Sequence, residues 1–162
     1  MHQISGYMVG DANWEKLRSA AEKHSIHIGL GFFERVDNVI YMAQSLIDPN
    51  GKVLIHRHKL RPSGGERNIW SDGTTDGFQV VNTTYGRIGM LKCWEHFHLS
   101  MTFPMQAQVK AIHIASWPYT PDYNDPAAMA FESAEANMAA ASLYAVSSGA
   151  YTLLLAGPRP LA

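Results

Sequence analysis

Apolar residues recur every three to four positions in the first readable stretch and every second position in the next. That change of period marks the first two elements. Trp14, Leu17 and Ala21 share a face at i, i+3 and i+7, which predicts a helix over about Asn13 to His24. Asp11 or Asn13 can cap it, and Glu15 stands in the first turn, where the helix dipole favours an anion. Ile26, Ile28, Leu30 and Phe32 then alternate strictly, which predicts a half-buried strand. Gly29 and Gly31 occupy its other face and allow close packing there.

Val39 to Ile47 reads as a second strand. Asp48-Pro49-Asn50-Gly51 supplies turn chemistry, and Val53 to His58 returns as a third strand. Arg61 to Thr75 carries Pro62, Gly64, Gly65 and Gly73 and reads as a long ordered loop, a kind of segment that tends to be functional. A second hairpin is expected from Phe78–Asn82 and Arg87–Leu91, turning near Tyr85-Gly86. Ala111 to Ala115 reads as a short buried strand ending at Ser116-Trp117-Pro118. Pro126 can open a helix, and Ala127 to Tyr144 is rich in helix formers. Tyr151 to Ala156 reads as a further buried strand, and the tail from Gly157 to Ala162 has no readable structure. Hairpins alternating with helices predict an α/β sandwich.

Composition narrows the function. The 162 residues suffice for one domain with a sizeable core, and 46% hydrophobic with 17% charged residues is an ordinary globular mixture. The formal net charge of −1 gives no electrostatic case for nucleic acid or an anionic membrane, and neither is expected as a partner. Met1 to Asn13 lacks both a basic cluster and an apolar run, so a signal peptide is not expected, and no apolar stretch reaches membrane-spanning length. A single cysteine excludes an intrachain disulfide and favours an intracellular, cytoplasmic setting.

That cysteine leaves the predicted strand directly, in Lys92-Cys93-Trp94-Glu95. A cysteine at such a place can occupy a tight strand-to-helix elbow, with its sulfur facing a pocket and the following N–H groups aimed at developing negative charge. A helix N-terminus or a nearby cation would raise the thiolate fraction and make it a nucleophile. Taken alone, a lone cysteine is more often a small buried hydrophobe.

Two motifs sharpen the reading. Ile88-Gly89-Met90-Leu91-Lys92-Cys93-Trp94-Glu95-His96 resembles the nucleophile segment of the nitrilase (carbon-nitrogen hydrolase) superfamily, in its nitrilase branch. Arg57-His58-Lys59-Leu60-Arg61-Pro62, followed by Glu66-Arg67-Asn68-Ile69-Trp70, resembles that branch's catalytic-lysine segment. Weaker likeness runs from about Asn13 to Leu155 and includes Ser116-Trp117-Pro118. His96 stands where many nitrilases have Asn, and in this the chain is similar to fungal-type nitrilases and cyanide hydratases.

The resemblance implies one partial carbon-nitrogen hydrolase domain over 1–162, with the family's four-layer α-β-β-α sandwich incomplete at both ends. It implies that Cys93 attacks a nitrile carbon, and that Lys59 stabilises the charge developing on nitrogen. Glu66 would position the lysine or the substrate, and the backbone N–H of Trp94 would help form an oxyanion site. Glu95, His96 and Trp117 complete the expected surroundings, with Glu95 bracing the elbow. In isolation Lys59 reads as a surface lysine after a strand, Glu66 and Arg67 as a local ion pair, and Trp94, Trp117 and Tyr119 as either core or pocket wall. The expected substrate is a small-molecule nitrile and the expected assembly a homo-oligomer, with no cofactor.

The family's further glutamate, its general base, lies upstream of the lysine. Glu15 and Glu22 fall on the predicted helix and Glu34 in the following hairpin, none in that motif. Weak or absent turnover by this chain alone is therefore expected. His56-x-His58 and His96-x-His98 would each share a face at strand spacing. A zinc cluster would bring further ligands at matched spacings, so no metal is expected.

Overall fold

The structure, a computed structural model, describes residues 9–126 and 129–157. The N-terminal lead, the proposed helix start at Ala127 and the tail from Pro158 lie outside the described residues. Contacts divide the chain into two compact units, Met1–Gly77 and Phe78–Ala162. No helix among the described residues is long and apolar enough to cross a membrane.

The first unit packs helix α1 (Ala12–His24) on an antiparallel sheet of β1 (Ile28–Val36), β2 (Val39–Ile47) and β3 (Val53–His58), in the order β1-β2-β3. Asp11 is the cap: its carboxylate accepts the N–H groups of Asn13 at 2.9 Å and Trp14 at 2.7 Å. Trp14 and Ala21 are buried against Phe32, Ala43 and Ile47, with Leu17 at the margin, so the predicted face is the packed one. The first strand begins two residues later than its alternation suggested and runs on to Val36, because all nine of its residues pair with β2. The loop after β3 contains a 3-10 turn at Gly64–Asn68 and is tied back to the sheet. Ser71 N–H donates to the Ile40 carbonyl at 3.0 Å, and Trp70 stacks on Phe33 with ring centroids 5.0 Å apart.

The second unit is a four-stranded sheet, β4 (Val80–Thr83), β5 (Gly86–Lys92), β6 (Ile112–Trp117) and β7 (Tyr151–Ala156), in chain order. β4 and β5 form the expected hairpin, turning at Gly86 with φ of 103°. β5, β6 and β7 are parallel, and the crossovers between them carry α2 (Leu99–Ala107) and α3 (Ala134–Ser148). α2 is not evident in the pattern, since Pro104 interrupts it, yet Met101, Thr102 and Met105 are buried.

The helix expected from Ala127 to Tyr144 is displaced. It opens at Ser133, whose hydroxyl accepts the Ala136 N–H at 3.2 Å, and closes on left-handed Gly149. Helix formers before Ser133 lost to a cap residue with a real hydrogen bond, and the described residues from 129 to 132 carry a 3-10 turn at Ala130–Glu132.

Candidate active site

The expected site residues divide between the two units, Lys59 and Glu66 in the first and Cys93, Trp94, Glu95, His96 and Trp117 in the second.

Lys59 follows β3 directly and is held by its own N–H, which donates to the Met42 carbonyl. Its side chain is 1% exposed. The Nζ donates to Glu66 Oε2 at 2.7 Å and to Ser63 Oγ at 3.0 Å. The same Glu66 oxygen accepts the Ser63 N–H at 2.6 Å, so the 3-10 turn at Gly64–Asn68 exists as the bracket that carries the carboxylate to the ammonium. Gly73 closes the other side. A Cβ there would stand 2.7 Å from the carbonyl oxygens of both His58 and Lys59. Ser63 is a site residue that sequence reasoning missed; its place four residues after Lys59, within the glycine-rich loop, was the available signal.

Cys93 stands immediately after β5 with φ of 53°, the left-handed region that a residue with a side chain seldom adopts. It begins a 3-10 turn over Cys93–Phe97, so the elbow is present but its first turn is 3-10 rather than α-helical. Two braces fix it. Glu95, 1% exposed, accepts the Lys92 N–H at 2.8 Å, and His96 Nδ1 lies 2.7 Å from the Cys93 carbonyl. An Nδ1–H donated to that carbonyl leaves His96 Nε2 as an acceptor, and His113 Nε2 lies 3.0 Å from it. The His96 ring stacks on Trp117 at 5.3 Å. Cys93, Ala115, Trp117 and Ala140 form one buried cluster, with Trp94 and Leu154 packed at its margin. Lys92 pairs with Ser116, so the carboxyl ends of the parallel strands β5 and β6 gather Cys93 and Trp117, the end of such a sheet where ligands bind.

Beneath this cluster lie His113 and Tyr144, both missed by sequence reasoning; a histidine set in the apolar run Ile112–Trp117 was the only signal. Lys110 Nζ sits 4.9 Å over the Tyr144 ring and donates to the Met105 carbonyl at 2.8 Å. Burial, assisted by the charge of Arg87, pushes the Lys110 ammonium down to about 8, and burial pushes the Tyr144 phenol up.

The histidine pairs separate. His96 and His98 share no face, because their segment is a 3-10 turn and not a strand; His98 is exposed at the start of α2. His56 and His58 do share a face, and both rings meet Glu34 from β1. Burial pushes the Glu34 carboxyl up, but hydrogen bonds and charge from both histidines outweigh it and hold the group at about 2.

Residues 4–156 match the carbon-nitrogen hydrolase family. A nitrilase of Talaromyces marneffei is 34% identical over 144 residues, which are 86% of this chain and 45% of that protein. A cyanide hydratase of Pyrenophora teres f. teres is 36% identical over 90% of this chain and 41% of the relative. The chain thus spans less than half the length of these curated relatives. An amidase from Nesterenkonia sp. superposes with a TM-score of 0.70 at 18% identity, covering 93% of this chain and 54% of that one. In one of its structures, acrylamide is described as added at the active-site cysteine. The mixed α/β class expected from the sequence is thereby met, with the fold shared with solved nitrilase-superfamily proteins over part of their length. On the match across both units, the chain belongs to the carbon-nitrogen hydrolase family.

Proposed function

We propose that this chain carries the nucleophile and lysine segments of a nitrile-hydrolysing enzyme, with Cys93 as the nucleophile. One observation supports this most: the chain's single cysteine occupies a left-handed elbow at the carboxyl end of a parallel strand, and buried Glu95 and His96 brace that elbow. Strained backbone held by its surroundings is characteristic of reactive positions. The likeness to a nitrilase and a cyanide hydratase points to nitriles as the substrate class.

In this reading the Cys93 thiolate attacks the nitrile carbon, and the nitrile nitrogen takes a proton to give a thioimidate. Water adds to the C=N carbon and ammonia leaves, giving a thioester. A second water releases the carboxylic acid and restores the thiol. Lys59 is the proposed ammonium for the nitrogen's developing charge, supported by its burial with Glu66. Glu66 is its positioning partner. The Trp94 N–H is the proposed oxyanion donor. Trp117 and the Trp94 ring are proposed as apolar contacts for the substrate, and Glu95 and His96 as braces. A cytoplasmic setting and a homo-oligomeric state belong to the same proposal and rest on the lone cysteine and the family.

The test is intact-protein mass spectrometry of the purified chain with aliphatic and arylaliphatic nitriles, alongside ammonia release. A covalent adduct localised to Cys93 and absent from Cys93→Ala supports the reading. Ammonia release is expected to be weak without the family's upstream glutamate, so the adduct decides: alkylation of Cys93 by iodoacetamide with no adduct from any nitrile would overturn the reading. A second product is favoured by His96 and by the cyanide hydratase likeness. The tetrahedral intermediate would then expel the thiol and release an amide in place of the acid, and chromatography of the two products separates the outcomes.

A further inference from the structure

Side-chain alternation places Leu30, Phe32 and Glu34 of β1, Tyr41, Ala43 and Ser45 of β2, and His56 and His58 of β3 on one face of the first sheet. Ala43 pairs with both Phe32 and His58, so the middle strand carries a methyl group at the centre of this row. Glu34 reaches from one outer strand toward the other. Its Oε2 lies 3.0 Å from His56 Nε2 and 2.7 Å from His58 Nε2. One donor atom from each of the three residues fits within a sphere of contacts no wider than 4.8 Å.

We propose that Glu34, His56 and His58 form a three-ligand site for a divalent transition-metal cation of the zinc class, which ties β1 to β3 across β2. Two imidazoles and one carboxylate are a common zinc donor set, with ligand distances of about 2.0–2.2 Å. Three donors already this close need only local side-chain adjustment to surround an ion.

The neighbours act as a metal site's outer partners do. Ser45 Oγ lies 2.9 Å from His56 Nδ1; accepting that N–H leaves Nε2 as the ligand atom. The Tyr41 ring stacks on His58 at 4.0 Å with an interplanar angle of 5°, which fixes the imidazole plane. Trp14 meets His56 edge-on at 6.3 Å and bounds the site on the helix side. The imidazoles are 31% and 24% exposed while the carboxylate is 4% exposed, so an ion enters from the histidine side and water completes its coordination. The proposal departs from the sequence-based expectation of no metal. A strand-spaced histidine pair looked incomplete because its carboxylate lies on β1, two strands away in the sheet.

The test is titration of the full chain with zinc chloride, followed by calorimetry and by long-range 15N–1H spectra of the histidine side chains. About one equivalent should bind, with Nε2 shifts confined to two histidines. Glu34→Gln and His58→Asn should abolish that equivalent. Ser45→Ala, which removes only an outer partner, should weaken it roughly tenfold to hundredfold while the sheet stays folded by circular dichroism. The spectra on the unaltered chain decide the question even if Glu34→Gln unfolds. Absence of zinc uptake would overturn the site. So would shifts at other histidines, or binding that Ser45→Ala leaves unchanged.

Discussion

The ammonium of Lys59 lies 2.7 Å from the Glu66 carboxylate, and the lysine is the more deeply buried partner, 1% exposed against 23%. The pair is therefore asymmetric. Glu66→Ala strands a buried cation with, among the described residues, only the Ser63 hydroxyl to accept from it, and should cost about 3 kcal/mol of unfolding free energy. Lys59→Met leaves a partly exposed carboxylate that still accepts the Ser63 N–H, and should cost less. Urea denaturation of both variants checks the order; the reverse order would mean that the lysine reaches solvent.

Cys93 tests reactivity separately from folding. Replacing it with Ala removes one sulfur from a small apolar cluster and should cost only about 1 kcal/mol. Adduct formation with nitriles should disappear altogether. Thermal denaturation and intact mass, measured on the same sample, separate a lost nucleophile from a lost fold.

Gly73 is constrained by backbone on two sides, since a Cβ there would meet the carbonyl oxygens of His58 and Lys59 at 2.7 Å. Neither atom belongs to a flexible side chain. Gly73→Ala should thus displace the loop that carries Glu66 and cost on the order of 2 kcal/mol. A Gly65→Ala control, with nothing within 4 Å, should stay near neutral in the same denaturation experiment.

Lys110 gives stability an alkaline slope. Its folded-state ammonium releases its proton near 8 and an ordinary lysine near 10.5, so between those values the unfolded chain binds more protons. Stability should rise with pH from about 8 toward 10, by at most about 3 kcal/mol. Above 10 the raised Tyr144 phenol works in the opposite direction, because the unfolded tyrosine ionises first. Urea midpoints at pH 7.5, 9 and 10 should show the rise, and Lys110→Met should flatten it.

Local periodicity and cap chemistry made much of the fold legible. The Trp14-Leu17-Ala21 face and both hairpins depend on near neighbours, and the structure keeps them with shifts of a few residues. The strand expected at Tyr151–Ala156 forms, but at the edge of its sheet with Tyr151, Leu153 and Leu155 exposed rather than buried, because among the described residues only β6 pairs with it. α2 was hidden by Pro104, and the start of α3 by helix formers that precede the true cap at Ser133.

The sequence by itself determined which chemical groups stand together along the chain: a lysine with a glutamate seven residues on, and a lone cysteine leaving a strand toward Glu95 and His96. Such groups are joined by short turns, and short turns are local physics. Only the tertiary structure decided that Ser63 completes the Lys59 bracket, that His113 meets His96, and that Glu34 of β1 closes on His56 and His58 of β3. The second joins a 3-10 turn to β6, and the third joins β1 to β3 across side chains as small as Ala43. No spacing along a single strand encodes a partner two strands away.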